Sequence, residues 1–289
     1  MADWRACSRA GRGARRKRRH ELRSERSHGR QGEQGEHTMS AYDAADADDA
    51  TADSVAAANG ETPATVAARL AAYHQRRRTL FDWMHPARLA RVPCADRLGA
   101  CGPAQAEALA DALLDEWGMP VPPLAAFNAP EAALALLPAH DCLTVFRLRA
   151  LVEQVEPLRT WIDRPRREKL TAWIGARGVN LLFARGRELA GEARSLAARA
   201  HTAASVMQVP LDAADGDVLA WLGFRLFERD CRWAPGGPLA IMRWAMPARD
   251  DEGALPSLSL PPSLPSSEGS SPSLSIVSQL PDLFPEWSW

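Results

Sequence analysis

The stretch Val-Leu-Ala-Trp-Leu-Gly-Phe-Arg-Leu-Phe-Glu-Arg-Asp, residues 218–230, decides the class of fold. If it is helical, apolar side chains cover most of its circumference, which is typical of a helix at the centre of a core or covered by a partner. A buried strand is the alternative. The length of the segment and the spacing of Arg225, Glu228 and Arg229 favour a helix. We therefore predict a helix at this position, either central in the core or covered by a partner.

Amphipathic patterns before and after this segment predict further helices. An apolar residue recurs every three or four positions from Thr62, in a helix expected to end near Pro86. A second such helix begins near Pro103, and Gly118 is placed to end it in the left-handed conformation. Tyr is nearly absent while Ala, Leu and Arg are abundant, a composition that favours helix over sheet. The prediction is a mainly α fold, with a single irregular multi-helix domain over residues 62–249.

The beginning of the chain is predicted to be a disordered leader, residues 1–61. Residues 1–38 carry a net charge of +6 while the whole chain stands at −1, so the remainder is near −7. Back-translating residues 34–36 permits a purine-rich ribosome-binding sequence shortly before Met39. We therefore hypothesise that translation starts at Met39 and that the preceding residues are a mis-annotated upstream extension. Residues 40–61 are rich in Ala and Asp without apolar periodicity, which is typical of disorder.

The end of the chain has two parts with different compositions. Residues 250–275 are low-complexity Ser, Pro, Leu and Gly, which bury too little surface to offset chain entropy, and they are predicted to be a linker. Residues 276–289 regain aromatic and acidic side chains and are predicted to be a docking segment. Such a segment either folds back on the domain or binds a partner. We select Leu283, Phe284 and Trp287 as candidate partner-binding residues.

No pattern in the sequence predicts catalysis or metal binding. The chain contains no GxxxxGK[ST] phosphate loop, no GxSxG elbow, no HExxH and no dinucleotide-binding GxGxxG. His140, Asp141 and Cys142 are adjacent, but neighbours on a helix point in different directions and do not form a nucleophile and base pair. Asp141 is expected to cap a helix and Cys142 to be a small buried residue. Cys94 and Cys101 fit no recurrent zinc motif. We predict no enzyme activity, no cofactor and no metal.

A short glycine motif keeps a second interpretation open. Residues 174–178, Ile-Gly-Ala-Arg-Gly, match the GxxG loop with which KH domains clamp a nucleic-acid backbone. A KH domain needs strands around its helix pair, whereas both flanks here have helical patterns, so a helix-turn-helix corner explains Gly175 and Gly178 more simply. Together with the basic run at residues 15–19, the loop supports the alternative of a nucleic-acid-binding regulator.

Tryptophan and arginine are the residue types that stand out in what remains. The chain has ten Trp, and Arg supplies nearly all of its positive charge. Most of the Trp side chains are expected in the core. Because Trp and Arg dominate binding hot spots, a helical chain rich in both and without catalytic motifs favours protein recognition.

Three stretches are similar to one family when they are taken together: LFDWMHPARL at residues 80–89, WLGFRLFERD at residues 221–230 and LPDLFPEW at residues 280–287. They resemble the SctK/YscK-type accessory proteins of bacterial type III secretion systems, in the branch found with Hrp-like systems. The resemblance extends from about residue 62 to the end.

The resemblance implies a non-enzymatic adaptor of the sorting platform, at the cytosolic face of the inner membrane. Such a protein links the cytoplasmic domains of the inner-membrane ring to the pods beneath, which carry the stator and the ATPase. Its implied partners are proteins of the secretion apparatus, and it touches the membrane through those partners only. No cofactor, nucleic acid or catalytic residue is implied.

Overall fold

The computed structural model describes residues 62–93, 95–190, 211–233, 236–248 and 271–287. Within these ranges the chain is mainly helical and has no strand, which confirms the predicted fold class. The predictions for the leader, for the start at Met39 and for most of the linker lie outside the described residues. No helix of the described ranges is both long and apolar enough to cross a membrane.

The α-helices of the described ranges are α1 Pro63–Arg78, α2 Leu80–Trp83, α3 Pro86–Leu89, α4 Pro103–Glu116, α5 Ala139–Val152, α6 Val155–Leu158, α7 Arg164–Leu189, α8 Gly216–Cys231, α9 Pro272–Val277 and α10 Leu280–Leu283. Between them lie the 3₁₀ helices Ala95–Ala100, Leu124–Phe127, Pro130–Leu136, Leu211–Ala213 and Ala240–Ala245. The short elements concentrate where proline is frequent, because proline lacks the N–H that a continuing helix needs.

Local sequence signals explain where several of the helices begin. The side chains of Thr62, Asp163, Asp215 and Ser271 each accept a hydrogen bond from a backbone N–H three residues later, at the starts of α1, α7, α8 and α9. Such caps satisfy donors that the first helical turn leaves without partners. Gly118 follows α4 with a φ of 69°, as the sequence predicts.

Helix α8 lies at the centre of the larger of two apolar cores, which confirms the prediction for its sequence. It packs most extensively on α5, where the Phe146 ring lies 5.5 Å from that of Phe224 and 5.6 Å from that of Phe227. Gly223 makes this approach possible, because a Cβ at that position would overlap the backbone carbonyl of Phe146. Helix α7 and the carboxyl-terminal helices α9 and α10 complete this core.

The smaller core forms between α1, α2, α4 and two 3₁₀ segments. Its buried members include Tyr73, Leu80, Leu114, Phe127 and Ile241. The partly buried Trp83 packs against both cores.

Some element boundaries differ from the sequence prediction. The single helix expected up to Pro86 is two helices, α1 and α2, which are separated at Thr79. Helix α2 ends at Trp83 because the backbone of Met84 is extended, and Pro86 starts α3. Helix α7 is described as far as Leu189, and residues 191–210 lie outside the described residues. The linker expected to extend to Ser275 ends earlier, because α9 begins at Pro272.

Candidate functional site

Three arginines on α1 are buried and hold the neighbouring 3₁₀ segments in place. Arg69 donates to the carbonyl of Phe127 at 2.9 Å, and Arg77 to that of Met119 at 2.9 Å. One terminal nitrogen of Arg76 donates to three carbonyls before α5, those of Leu134, Ala135 and Leu137. A guanidinium has five donors, so one side chain satisfies several carbonyls that lack helical partners. Arg77, which interrupts the apolar stripe of α1, therefore has a structural role.

A buried ionic network attaches α9 to the helical domain. Arg149 on α5 is fully buried, and it donates to Asp230 at 2.8 Å, to Glu153 at 2.8 Å and to the hydroxyl of Ser273 at 3.0 Å. Ser273 in turn donates to Asp230 at 2.7 Å. Burial alone would raise the pKa of Asp230, but the positive charges of Arg149 and Arg229 outweigh it and lower that pKa. Asp230 is therefore ionised at neutral pH, and the network joins three helices.

The carboxyl-terminal segment folds back on the domain through this network and through apolar contacts. Leu283 and Phe284 join the larger core and are only 6% and 7% exposed. Trp287 is 37% exposed. Glu286 accepts a hydrogen bond from Arg177 of α7 at 2.8 Å. The assignment of Leu283, Phe284 and Trp287 as partner-binding residues stays a prediction, and of the three only Trp287 presents its ring to solvent.

Trp287 lies at the wall of a groove with a volume of about 480 Å³. We call it the Trp287 groove, and its lining comes from α1, α2, the segment that leads into α5, and α5 itself. Apolar side chains such as Trp83, Pro138 and Leu143 line it, while Asp82 and His140 add polar groups. An apolar floor with polar neighbours is the usual composition of a protein-binding surface.

A second groove of about 310 Å³ combines aromatic rings with arginines. We call it the Arg–Trp groove, and it is lined by Arg88, Trp117, Trp221, Phe224, Arg225, Glu228, Arg243 and Trp244. The rings of Trp117 and Trp244 stack with centroids 3.8 Å apart. The guanidinium of Arg88 lies 4.8 Å from the centroid of Trp244 and 5.9 Å from that of Trp221. Cation–π contacts of this kind stabilise a partly dehydrated arginine.

The residues considered for catalysis or metal binding are not gathered into a site. Cys142 is buried, and burial raises the pKa of its thiol. The prediction that Asp141 caps α5 is wrong, because the cap position belongs to Pro138 and Asp141 lies inside the first turn. Cys101 is partly exposed, and Cys94 lies outside the described residues. In the part of the chain that the structure describes, no three His, Cys, Asp or Glu side chains come together as metal ligands.

The glycine motif at residues 174–178 forms a bend within helix α7. Gly175 has a φ of 69° and a ψ of 167°, a conformation that is almost restricted to glycine, whereas Gly178 is helical. Both flanks are helical as predicted, and the described ranges contain none of the strands that a KH domain needs. The alternative of a nucleic-acid-binding regulator is not supported.

A comparison with known protein families identifies the family of this chain. A family model described as a bacterial type III secretion protein, HrpB4, matches residues 62–286. The chain belongs to the HrpB4 family. The match begins at the residue that caps α1 and includes the Arg–Trp groove, the carboxyl-terminal helices and the lining of the Trp287 groove except Trp287 itself, which follows the last matched residue. It confirms the sequence-based expectation of a type III secretion component. Neither a curated protein nor a solved structure matches the chain significantly.

Sequence reasoning missed the buried polar groups of this HrpB4-family chain. Arg149 lies between Leu148 and Ala150 in a stretch that is otherwise buried, and Asp230 ends the apolar sequence of α8. Opposite charges within the apolar stretches of two helices are a signal for a buried pair. The Arg–Trp groove had a weaker signal in the sequence, because its rings come from three separate segments of the chain.

Proposed function

We propose that this HrpB4-family chain is a non-enzymatic adaptor of the SctK/YscK type in a type III secretion system. In this proposal it links the cytoplasmic domain of the inner-membrane ring to the pod protein and stator of the sorting platform. It works at the cytosolic face of the inner membrane, and protein partners hold it there. Its contribution to secretion, and hence to virulence, is to hold components together rather than to convert a substrate.

The observation that carries this proposal is the exposed ring of Trp287, which directly follows the family-matched region, at the wall of a groove whose other lining residues lie inside that region. Tryptophan is among the residues that contribute most to protein interfaces, particularly where an apolar floor is surrounded by polar groups. The segment that bears Trp287 is itself anchored by Leu283 and Phe284 in the core. A partner that fills the groove therefore meets a ring whose backbone is already ordered, which lowers the entropic cost of binding.

A linking role requires at least two surfaces, and the chain offers a second one. Val121 is 46% exposed and Leu124 is 61% exposed, both in the proline-rich stretch after α4. Large apolar side chains that are exposed close together are typical of interaction sites. We propose that one partner binds at the Trp287 groove and another at Val121 and Leu124.

The proposal is tested by binding measurements with purified partners. The chain should bind the ring cytoplasmic domain, the pod protein or the stator, and Trp287→Ala should weaken one of these interactions by about 30-fold, the effect of a hot spot worth about 2 kcal/mol. Deleting the gene should abolish secretion without reducing the ATPase activity of the isolated ATPase.

Ile162→Ala is the matched control, because Ile162 is 80% exposed but does not line the groove. Thermal unfolding of both variants checks that the fold is intact. If the folded chain binds none of these partners, the adaptor role is wrong. If the control weakens binding as much as Trp287→Ala, the groove is not the contact surface.

A further inference from the structure

The Trp287 groove presents a carboxylate that has no partner. Three ionisable side chains line this groove: Arg76, Asp82 and His140. Asp82 is exposed, and its carboxylate forms no hydrogen bond or ion pair with any of the described residues. His140 has a carboxylate partner of its own, since its Nε2 lies 3.2 Å from Asp141. The charge that a ligand meets in the groove therefore depends on Asp82 and Arg76.

The positive charge of Arg76 is not accessible from the groove. Its side chain is buried, and one terminal nitrogen already donates to three backbone carbonyls. The other terminal nitrogen has no hydrogen-bond partner, but solvent does not reach it, so a ligand in the groove does not contact it either. Asp82 is therefore the charged group that a ligand contacts, and a cation complements it.

Two indole rings line the same groove as this carboxylate. Trp83 follows Asp82 in α2, and its indole N–H donates to the carbonyl of Arg76 at 2.9 Å, which holds the ring in place. Trp287 adds the exposed ring described above. The faces of indole rings attract cations, and more strongly where the site is partly dehydrated. A carboxylate beside aromatic rings is the combination that an arginine side chain recognises, because its guanidinium both pairs and stacks.

We propose that the Trp287 groove binds an arginine side chain of the protein partner. The guanidinium pairs with Asp82 and stacks on the ring of Trp287, while the methylene groups lie on the apolar lining. Arginine fits better than lysine, because a planar guanidinium contacts a carboxylate with two N–H groups and an aromatic ring with its face. The groove volume of about 480 Å³ lies within the range of about 300–1,000 Å³ that holds small ligands, so one long side chain fits.

This inference rests on the proposed function, because it names the chemistry of the partner that binds at the Trp287 groove. Two experiments test it, and the first needs no partner. N-acetyl-arginine amide is titrated into the whole chain carrying isotope-labelled tryptophan, and the indole N–H signals are followed by NMR. Trp287→Phe identifies the signal of Trp287. That signal should shift in a saturable manner, whereas the uncharged N-acetyl-glutamine amide and the anionic N-acetyl-glutamate amide should leave it unchanged.

Variants of the carboxylate show whether the ion pair contributes. Asp82→Asn should weaken binding of the arginine probe about fivefold, the effect of an exposed ion pair in a favourable geometry. Asp96→Asn is the matched control, because Asp96 is exposed but does not line the groove. The proposal is overturned if the arginine probe does not shift the Trp287 signal, if the glutamine or glutamate probe shifts it equally, or if the two aspartate variants act alike.

The second experiment uses the secretion protein whose binding Trp287→Ala weakens. Asp82→Lys should weaken that interaction by about tenfold or more at low salt, because it replaces an attraction by a repulsion. The difference from wild type should become smaller at high salt, since the contact is ionic and close to solvent. Asp82→Glu should bind nearly as well as wild type, and Asp96→Lys should have little effect. Thermal unfolding checks that each variant is folded.

The failure of this inference is distinguishable from the failure of the adaptor role. A partner that Trp287→Ala weakens and Asp82→Lys does not would overturn the arginine contact and leave the adaptor role intact. If no ring, pod or stator protein binds, the adaptor role is wrong, and the titration with N-acetyl-arginine amide still decides whether the groove prefers a guanidinium. A dimer of the chain that Asp82→Lys dissociates would place the arginine on a second copy and would also overturn the proposal.

Discussion

Replacing Asp230 with alanine is expected to destabilise the chain by about 3 kcal/mol, because it removes the main anionic partner of a fully buried guanidinium. Removing one partner of a buried ion pair costs about 3–5 kcal/mol when the remaining charge has no other partner. Arg149 keeps Glu153 at 2.8 Å, which sets the expected value at the lower end. Ser273 also loses its acceptor, so the attachment of α9 is weakened together with the core.

The assay is urea denaturation at pH 7 followed by circular dichroism, with thermal unfolding as a second measure. For a domain of this size, 3 kcal/mol corresponds to a fall in Tm of roughly 6–12 °C. Asp212→Ala is the matched control, since Asp212 forms a bidentate pair with Arg166 at an exposed position. Exposed pairs contribute about 0–1 kcal/mol, so this variant should remain close to wild type.

A combined variant separates the ionic network from simple loss of volume. Arg149→Met/Asp230→Leu/Ser273→Ala replaces three of the interacting polar groups by apolar ones, and leaves Glu153 paired with Arg229. It should recover most of the stability lost in Asp230→Ala. If Asp230→Ala is no less stable than the Asp212→Ala control, the reasoning about the buried charge is refuted. The same holds if the triple variant is as unstable as the single one.

Three further predictions concern the core, the bend in α7 and pH. Gly223→Ala should destabilise the chain by more than about 3 kcal/mol in urea denaturation, because its Cβ overlaps the carbonyl of Phe146 and the two central helices must separate. Gly175→Ala should cost about 1–3 kcal/mol in the same assay, because alanine does not readily adopt its backbone conformation. The pKa of Asp230 is lower in the folded chain than its value of about 3.9 in the unfolded chain, so the ionised carboxylate stabilises the fold. This stabilisation is complete above the unfolded pKa and is lost as the pH falls through the folded pKa. Urea midpoints should therefore drop below about pH 4, and less steeply in Asp230→Asn.

The controls for these variants come from the same chain. Gly99→Ala introduces a Cβ with nothing within 4 Å and no positive φ, so it should change stability by less than 1 kcal/mol. If Gly175→Ala is equally harmless, the bend in α7 does not depend on glycine. If Gly223→Ala is as stable as wild type, α5 and α8 do not pack as closely as described. A pH dependence that is identical in Asp230→Asn and wild type would contradict the ionised network.

The helices were predictable from sequence because their signals are local. Caps such as Asp163 and Asp215, the terminating glycine at Gly118 and the apolar sequence of α8 each act within a few residues. The resemblance of three separate stretches to type III secretion proteins was likewise sufficient to predict a type III secretion component, which the family match confirms.

Other features depend on which helices meet and were not predictable. The role of Arg77 depends on the carbonyl of Met119, 42 residues later, and a side-chain pattern along one helix contains no information about that carbonyl. The pairing of Arg149 with Asp230 spans 81 residues. The extended backbone that separates α2 from α3 depends on contacts with the 3₁₀ segment near Trp244, whose carbonyl accepts a hydrogen bond from His85.

The candidate site likewise combines features that the sequence predicts with features that only the fold determines. Sequence composition indicated that the carboxyl-terminal segment docks either on the domain or on a partner, and the structure shows it on the domain. That Leu283, Phe284 and Trp287 bind a partner stays a prediction. Their different exposures could not be foreseen, because they depend on which side of the segment faces α7 and which faces solvent. The Arg–Trp groove was missed because Arg88 and Trp244 are far apart in the sequence and meet only in the fold.

The most direct test of the adaptor role is to mix the purified chain with the ring cytoplasmic domain and the pod protein, and to measure the masses of the complexes by size-exclusion chromatography with light scattering. The account predicts one species that contains all three proteins, and no complex of ring domain and pod protein when the chain is omitted. A ring domain and pod protein that associate equally well without the chain would contradict it.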